Sequence, residues 1–174
     1  MVTVIRPYRN YEDQPEGFTS VSDIGKKLQG RVVTTSHFLA YERLMVGAVT
    51  AFLFGSERTI KIRRIEAYKS TIRDSRKLEK LYMLDRVLLK KIPEQGDSVG
   101  LQVAQDLVRL TLRTCLWVEL VSETRSFHFA SDLYVYLAGG VVPSQIKTEF
   151  LEMGKQVQLI RSLPYGLRAP APTI

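Results

Sequence analysis

The sequence predicts a single α+β domain in which an antiparallel sheet is flanked by helices, with an extended N-terminal arm and a C-terminal tail. The chain has 174 residues, of which 45% are hydrophobic and 25% charged, and this is typical of one globular domain with a sizeable core. Stretches that alternate between apolar and polar residues are interleaved with stretches of helical spacing. The two-residue connection Glu123-Thr124 joins two alternating stretches and favours antiparallel pairing.

The two ends of the chain differ in composition from its middle. Residues 1–30 are predicted to be the arm, because prolines and glycines alternate there with scattered aromatic residues. Residues 31–163 are predicted to be the globular domain. Residues 164–174 contain three of the seven prolines and are predicted to be the extended tail. Inside the arm, one or two helical turns are expected after a cap at Ser20 or Ser22.

The first half of the domain is predicted to contain two strands and two helices. Arg31–His37 is rich in β-branched residues and is predicted to be a strand, and Phe38–Phe54 has the spacing of a helix. Arg58–Tyr68 alternates, with a slip at Arg63-Arg64, and is predicted to be a half-buried strand with a cationic outer side. Ser70–Lys91 has leucines at helical spacing.

The second half is predicted to contain two helices and three strands, again from the period of the apolar residues. In chain order these are a helix capped by Asp97 or Ser98 that runs through Arg109, a strand over Leu110–Ser122, a strand over Arg125–Leu137 that is interrupted near Ala130-Ser131, a helix from Ser144 to Met153 that stops at Gly154, and a last strand over Lys155–Ser162.

Positive charge is concentrated in Arg58–Lys80, where nine residues are Lys or Arg and three are Asp or Glu, within a chain of net charge +7. Cations at this density neutralise the phosphates of nucleic acids and attract anionic lipid head groups. The alternative is a solvated surface that is partly paired with its own carboxylates. We predict an anion-binding site formed by Lys61, Arg63, Arg64, Lys69, Arg73, Arg76, Lys77 and Lys80.

Residues suited to metal binding or nucleophilic catalysis are sparse. His37 and His128 are the only histidines, and they are far apart in a chain without a CxxC or HExxH motif. Cys115 lies in an apolar run and is expected to be a buried thiol. A thiol enzyme remains a hypothesis because the predicted hairpin could bring Cys115 near His128. We predict that the protein is not an enzyme and holds neither a metal nor a cofactor.

Three aromatic residues of the predicted arm, Tyr8, Tyr11 and Phe18, suggest contacts between subunits. They are too apolar for a fully solvated segment and too sparse for a core of their own. We predict that they contact a neighbouring copy of the chain. The competing hypothesis is that the arm lies over its own domain.

The segment Ser144–Gly154, followed by the strand Lys155–Ser162, resembles the end of a rhabdovirus matrix protein of the plant-infecting type. Those proteins likewise close with a short amphipathic helix, a glycine and a final strand, and they are similar in size, basic charge and layout. The resemblance implies a structural protein that coats or condenses a viral nucleocapsid and links it to an anionic membrane. The chain has no PPxY or PTAP motif and no lysine-rich cluster at its N-terminus.

The predicted partners are copies of the chain itself, nucleocapsid protein or RNA, and an anionic membrane surface as a further candidate. The alternative function is that of a monomeric, sequence-tolerant RNA-binding module. The expected location is the virion and host cytoplasm if the protein is viral, and otherwise the cytoplasm. Neither secretion nor a transmembrane segment is expected, because the first residues lack the apolar region of a signal peptide and the longest apolar stretch, Leu44–Phe54, has eleven residues.

Overall fold

The computed structural model describes residues 2–6, 20–28, 30–55, 57–67, 87–130, 133–152 and 156–161. Three α-helices with both ends described and nine strands lie within these ranges, together with one 3₁₀ turn at Val21–Asp23 and a helical segment at 87–89. The helices are α1 (Thr35–Phe54), α2 (Leu101–Leu112) and α3 (Ser144–Glu152). The strands are β1 (Val2–Arg6), β2 (Lys27–Leu28), β3 (Arg31–Val32), β4 (Ile60–Ala67), β5 (Ser98–Val99), β6 (Leu116–Val121), β7 (Ser126–Phe129), β8 (Val135–Ala138) and β9 (Gln156–Ile160).

Seven of these strands form one sheet in the order β5-β4-β6-β7-β8-β1-β9, while β2 and β3 form a separate hairpin. Every neighbouring pair in the large sheet is antiparallel. The α+β class and the antiparallel sheet flanked by helices are thereby confirmed.

The main core lies between the sheet and its helices. Ile62, Val118, Phe127, Leu137 and Ile5 come from five neighbouring strands, and all of them are fully buried in one apolar cluster with α1 and α2. Alternate residues of the same strands point to the opposite side, which we call the outer face of the sheet. The charged side chains of β4 belong to this outer face.

Helix α1 begins earlier than its apolar spacing predicts. The hydroxyl of Thr34 accepts a hydrogen bond from the backbone N–H of His37 at 3.3 Å and caps the helix. The predicted strand over Arg31–His37 is therefore wrong beyond Val32. Helix α1 is long and apolar enough to cross a membrane, but core helices of soluble proteins often have the same length and composition. Ten of the twenty residues of α1 are buried in this fold.

The predicted strand over Leu110–Ser122 is correct only in its second half. Leu110–Leu112 continue α2, and the hydroxyl of Thr111 donates to the carbonyl of Leu107 as it does in a helix. Thr114 has a positive φ of 56°, which turns the chain before β6 begins at Leu116. Leucines at alternate positions fit a buried strand and a buried helix end equally well, so the pattern does not mark this boundary.

The predicted arm over residues 1–30 is wrong for the described part of this region. β1 is an inner strand that pairs with β8 on one side and β9 on the other, and Val4 and Ile5 are fully buried. Val21 and Ile24 also join the core cluster. The predicted helical turn there is confirmed, with Ser20 as its cap. Residues 7–19 and the predicted tail lie outside the described residues.

The cap predicted at Asp97 or Ser98 is wrong, because the N-cap of α2 is Gly100 and Ser98 belongs to β5. The other elements predicted for the second half of the chain occur with small shifts in boundaries. The strand over Arg125–Leu137 is split into β7 and β8, and α3 and β9 occur where predicted. Gly139 has a φ of +93°, and a Cβ at this position would come within 1.8 Å of the Thr124 carbonyl oxygen. Only glycine fits this crossing of two loops. The helix predicted over Ser70–Lys91 is helical at 87–89, and residues 70–86 are outside the described part.

A buried ion pair ties α1 to the end of α2. The Arg113 guanidinium donates through Nε and Nη2 to both carboxylate oxygens of Glu42, at 2.6 and 2.7 Å. The two side chains are 2% and 4% exposed. A bidentate contact of this kind fixes both the distance and the orientation of the two helices.

Candidate anion-binding site

A β-bulge in β4 determines where the predicted cations of this strand point. Ile62 pairs with Leu120 and the next pair is Arg64 with Glu119, so Arg63 is an extra residue in the ladder. The slip predicted at Arg63-Arg64 is therefore confirmed. Because of the bulge, Lys61 and Arg64 both project from the outer face although an odd number of positions separates them.

Lys61 is exposed on this outer face. Its register partners are Val121 of β6 and Ser98 of β5, neither of which carries a charge. No ion pair within the described part of the chain includes Lys61. The exposed Arg58 lies just before the strand. This end of β4 therefore offers positive charge to an external anion.

Arg64 is exposed but has a carboxylate partner on its own strand. Its Nη2 forms an ion pair with Glu66, and the two side chains are 59% and 46% exposed. The guanidinium also stacks over the ring of Trp117, 5.2 Å from the centroid. Ion pairs as exposed as this contribute about 0–1 kcal/mol, so exchange of Glu66 for an external anion costs little.

Arg63 is held more firmly. Its Nη1 donates to Oε1 of Glu119 at 2.9 Å, and the two side chains are 29% and 10% exposed. An ion pair that is screened from water is not exchanged as cheaply as a surface pair. Of the three predicted anion-binding residues of β4, Lys61 and Arg64 are directly available, whereas Arg63 is engaged inside the molecule.

Glu119 belongs to a polar row that crosses three strands. Its Oε1 lies 3.1 Å from Nδ1 of His128, and Nε2 of His128 is 2.8 Å from the Ser126 hydroxyl. His128 and Ser126 are fully buried. Burial, with a smaller contribution from the charge of Arg63, lowers the pKa of His128 from its ordinary value of 6.5 to about 4. The ring is therefore neutral at neutral pH.

Serine, histidine and carboxylate stand here in the order found in serine hydrolases. However, Ser126 is fully buried, and Nδ1 of His128 makes no hydrogen bond of acceptable geometry despite its closeness to Glu119. A nucleophile must reach a substrate carbonyl, and this hydroxyl does not. We interpret the row as an internal polar network of the sheet.

The hypothetical thiol site is not assembled. Cys115 is buried, and its sulfur is 3.6 Å from the carbonyl oxygen of Arg113, while His128 contacts Ser126 and Glu119. Within the described ranges no group of three His, Cys, Asp or Glu side chains could hold a metal ion. The spacing Ser126-x-His128 is the sequence signal that could have suggested the polar row, because residues two apart share one face of a strand.

The other predicted site residues lie outside the described part of the chain. They are Lys69, Arg73, Arg76, Lys77 and Lys80 of the basic stretch, and Tyr8, Tyr11 and Phe18 of the predicted subunit contact. Their participation in these sites stays a prediction.

The opposite end of the sheet has a different character. β9 is the last strand on that side among the described residues, and its five residues carry no charge. Leu159 is 53% exposed, and Leu151 of the neighbouring α3 is 58% exposed. An uncharged edge strand with exposed leucines is suited to pairing with another strand.

No protein-family model matches this chain, and neither a curated protein nor a solved structure is detectably similar to it. Function is therefore inferred from the side chains described above.

Proposed function

We propose that the protein is a non-enzymatic structural protein that self-assembles and holds an anionic partner on the cationic outer side of β4. The partner is the RNA or protein of a viral nucleocapsid, and the assembled layer links it to an anionic membrane. The observation that carries the proposal is the exposure of Lys61 and Arg64 on one face of the sheet, next to Arg58.

Charge and geometry support this use of β4. The register partners of Lys61 in the sheet carry no charge. The ion pair of Arg64 with Glu66 is exposed, so an external anion can replace Glu66 at little cost. The basic stretch continues beyond β4 with five further lysines and arginines, Lys69, Arg73, Arg76, Lys77 and Lys80. The resemblance of the C-terminal third to rhabdovirus matrix proteins supports the same function.

Self-assembly is supported by the edge strand β9. Edge strands of monomeric proteins are commonly protected by charges, prolines or bulges, and Gln156–Ile160 has none of these. The occupant that we propose for this edge is β9 of a second copy. Antiparallel pairing of two identical strands is symmetric, so each copy satisfies the backbone groups of the other.

The double variant Lys61→Glu/Arg64→Glu tests the anion site. At low salt its affinity for labelled single-stranded RNA and for phosphatidylserine vesicles is expected to fall by about tenfold or more, with a shallower salt dependence. Lys27→Glu/Arg31→Glu is the matched control, because it makes the same change of net charge on the exposed β2–β3 hairpin. Equal losses in the two variants would mean that only net charge matters and would contradict the proposed site.

The predicted continuation of the site needs a variant of its own. Arg73→Glu/Arg76→Glu/Lys77→Glu reverses three charges in the stretch that follows β4. We expect this change to weaken binding to the same two probes at low salt. Unchanged binding would restrict the anion site to β4.

The second candidate function is a monomeric, sequence-tolerant RNA-binding module. The stacking of Arg64 on Trp117 favours it, because single-stranded RNA is bound by cations next to aromatic rings. Light scattering across a range of concentrations separates the two functions. A constant mass of 19.8 kDa with retained RNA affinity supports the module, whereas growth in mass with concentration supports the assembling protein.

A further inference from the structure

One carboxylate oxygen of Glu119 faces two groups that can carry positive charge. Oε1 is 2.9 Å from Nη1 of Arg63 and 3.1 Å from Nδ1 of His128. The arginine contact is a hydrogen bond, whereas Nδ1 of the fully buried histidine has no hydrogen-bond partner. Buried polar atoms without partners are uncommon in proteins. Nδ1 of His128 therefore lies where it could form a hydrogen bond with Glu119 in a second arrangement of these three side chains.

The neighbouring strands supply the ionisable groups that surround the His128 ring. Among the described residues, the ionisable groups that face it are Arg63 from β4, Glu119 from β6 and Tyr136 from β8, its cross-strand neighbour. On the same strand, β7, the Ser126 hydroxyl is hydrogen-bonded to Nε2 of His128. One cation and one carboxylate balance each other in this group while the ring is neutral.

The positive charge of Arg63 disfavours protonation of His128 at this position. While Arg63 is paired with Glu119, protonation of the ring would add a second positive charge to a site that is screened from water. If Arg63 turns away, Glu119, which is 10% exposed, is left as an uncompensated carboxylate. Such a buried charge is unfavourable until another cation replaces the lost one.

We propose that Arg63 and His128 exchange at Glu119: when the Arg63 guanidinium turns to an RNA phosphate, the His128 ring takes up a proton from solvent and pairs with the carboxylate. This inference rests on the proposed anion-binding function. Arg63 is 29% exposed and adjoins the exposed Arg64, so an outward rotation brings it to the same ligand. RNA is the chosen ligand because Trp117 lies against Arg64 on this face.

The direction of the coupling follows from linkage. In the free protein the pKa of His128 is lowered to about 4 by burial and by Arg63. Removing Arg63 from Glu119 raises the pKa of the ring, because a repelling charge is lost and a carboxylate partner is gained. Binding then takes up a proton, so RNA affinity rises as the pH falls and levels off below the lower pKa.

The exchange is testable without a ligand. Arg63→Gln imitates the state in which Arg63 has left, and we expect it to raise the pKa of His128 by about two units in an NMR titration of the ring protons. Arg64→Gln is the matched control, since it removes the neighbouring arginine, which pairs with Glu66. A His128 titration that is unchanged in Arg63→Gln would overturn the proposal.

The coupling to RNA is measured by fluorescence anisotropy with a labelled single-stranded RNA at low salt between pH 7.5 and pH 5.5. Wild type and His37→Gln are expected to gain about three- to tenfold in affinity as the pH falls. His128→Gln should gain little over the same range. His37 is the suitable control because it is the only other histidine and is exposed. Equal gains in all three proteins would overturn the exchange.

Failure of this inference is distinguishable from failure of the proposed function. If the wild type binds RNA at no pH, the RNA form of the proposed function fails and the exchange fails with it. If it binds RNA with a pH dependence that His128→Gln retains, only the exchange fails. If phosphatidylserine vesicles, and not RNA, show the gain that depends on His128, the assignment to an RNA phosphate is overturned.

Discussion

Arg63 and Arg64 are adjacent on β4, but their guanidinium groups differ in exposure to water and in the carboxylates that they contact. Arg64 is 59% exposed and pairs with a carboxylate that is itself in water, whereas Arg63 is 29% exposed and reaches the screened Glu119. The bulge makes this difference, because it adds one residue at Arg63 and leaves Arg64 in the regular ladder. A single backbone irregularity thus separates a surface charge from an internal one.

His128 should make the stability of the fold depend on pH. The ring has a pKa of about 4 in the folded chain against an ordinary value of 6.5, so below pH 6.5 the unfolded chain binds a proton that the folded chain does not. The stability that comes from keeping His128 neutral is fully present above pH 6.5 and is lost progressively as the pH falls toward 4. Between pH 7 and pH 5 we expect a loss of about 2 kcal/mol in the free energy of unfolding.

Urea denaturation followed by Trp117 fluorescence measures this loss. His128→Gln should lose less stability than wild type between pH 7 and pH 5, because the substituted side chain does not titrate. His37→Gln is the control and should behave like wild type, since His37 is exposed at the start of α1. A parallel fall in stability for wild type and His128→Gln would contradict the assignment.

At the scale of elements, the ion pair between Glu42 and Arg113 holds α1 against α2. Glu42→Gln removes the charge that compensates a guanidinium only 2% exposed, and we expect it to destabilise the fold by about 3–5 kcal/mol. Glu66→Gln is a matched control away from these helices, because its ion pair with Arg64 is 46% and 59% exposed and should contribute about 1 kcal/mol or less.

A second variant checks the cause. Glu42→Leu/Arg113→Met replaces both partners by apolar side chains of similar size and should recover much of the loss in urea denaturation. If the double variant is as unstable as Glu42→Gln, the charge of Arg113 is not the reason for the loss.

Elements with local signals were predictable from the sequence, and those that depend on distant pairing were not. The slip in β4, the helix α3 and the strand β9 are indicated by short patterns of residues, and these predictions are confirmed. Leu110–Leu112 were assigned to a strand because a buried helix end has the same composition. Val2–Arg6 were assigned to the arm because nothing near them in sequence indicates strands β8 and β9, their partners.

The candidate site was predictable only in part for the same reason. Lys61 and Arg64 could be placed on a cationic strand face by alternation alone. The pairing of Arg63 with Glu119 joins residues 56 positions apart, and the contact of Glu119 with His128 depends on the register of β6 and β7. Register is set by the complete sheet, so a single strand does not reveal which carboxylate meets which cation.

At the scale of the whole molecule, the sheet has two unlike ends. The exposed cations lie on β4 next to the two-residue strand β5, and the uncharged β9 forms the other edge in the described part of the chain. Pairing of β9 with a second copy would leave the β4 ends of both copies on the outside of the pair. A pair assembled in this way presents two anion-binding sites, which strengthens attachment to a polymeric partner.

Leu159→Lys tests assembly at this edge. A lysine at a position that is 53% exposed is tolerated by the monomer but places two like charges in a β9–β9 pair, so self-association should weaken by about tenfold or more. Val32→Lys adds the same charge at a residue 52% exposed on the β2–β3 hairpin and should assemble like wild type. Light scattering across protein concentrations measures the difference. If both variants keep the wild-type mass at every concentration, assembly does not use β9.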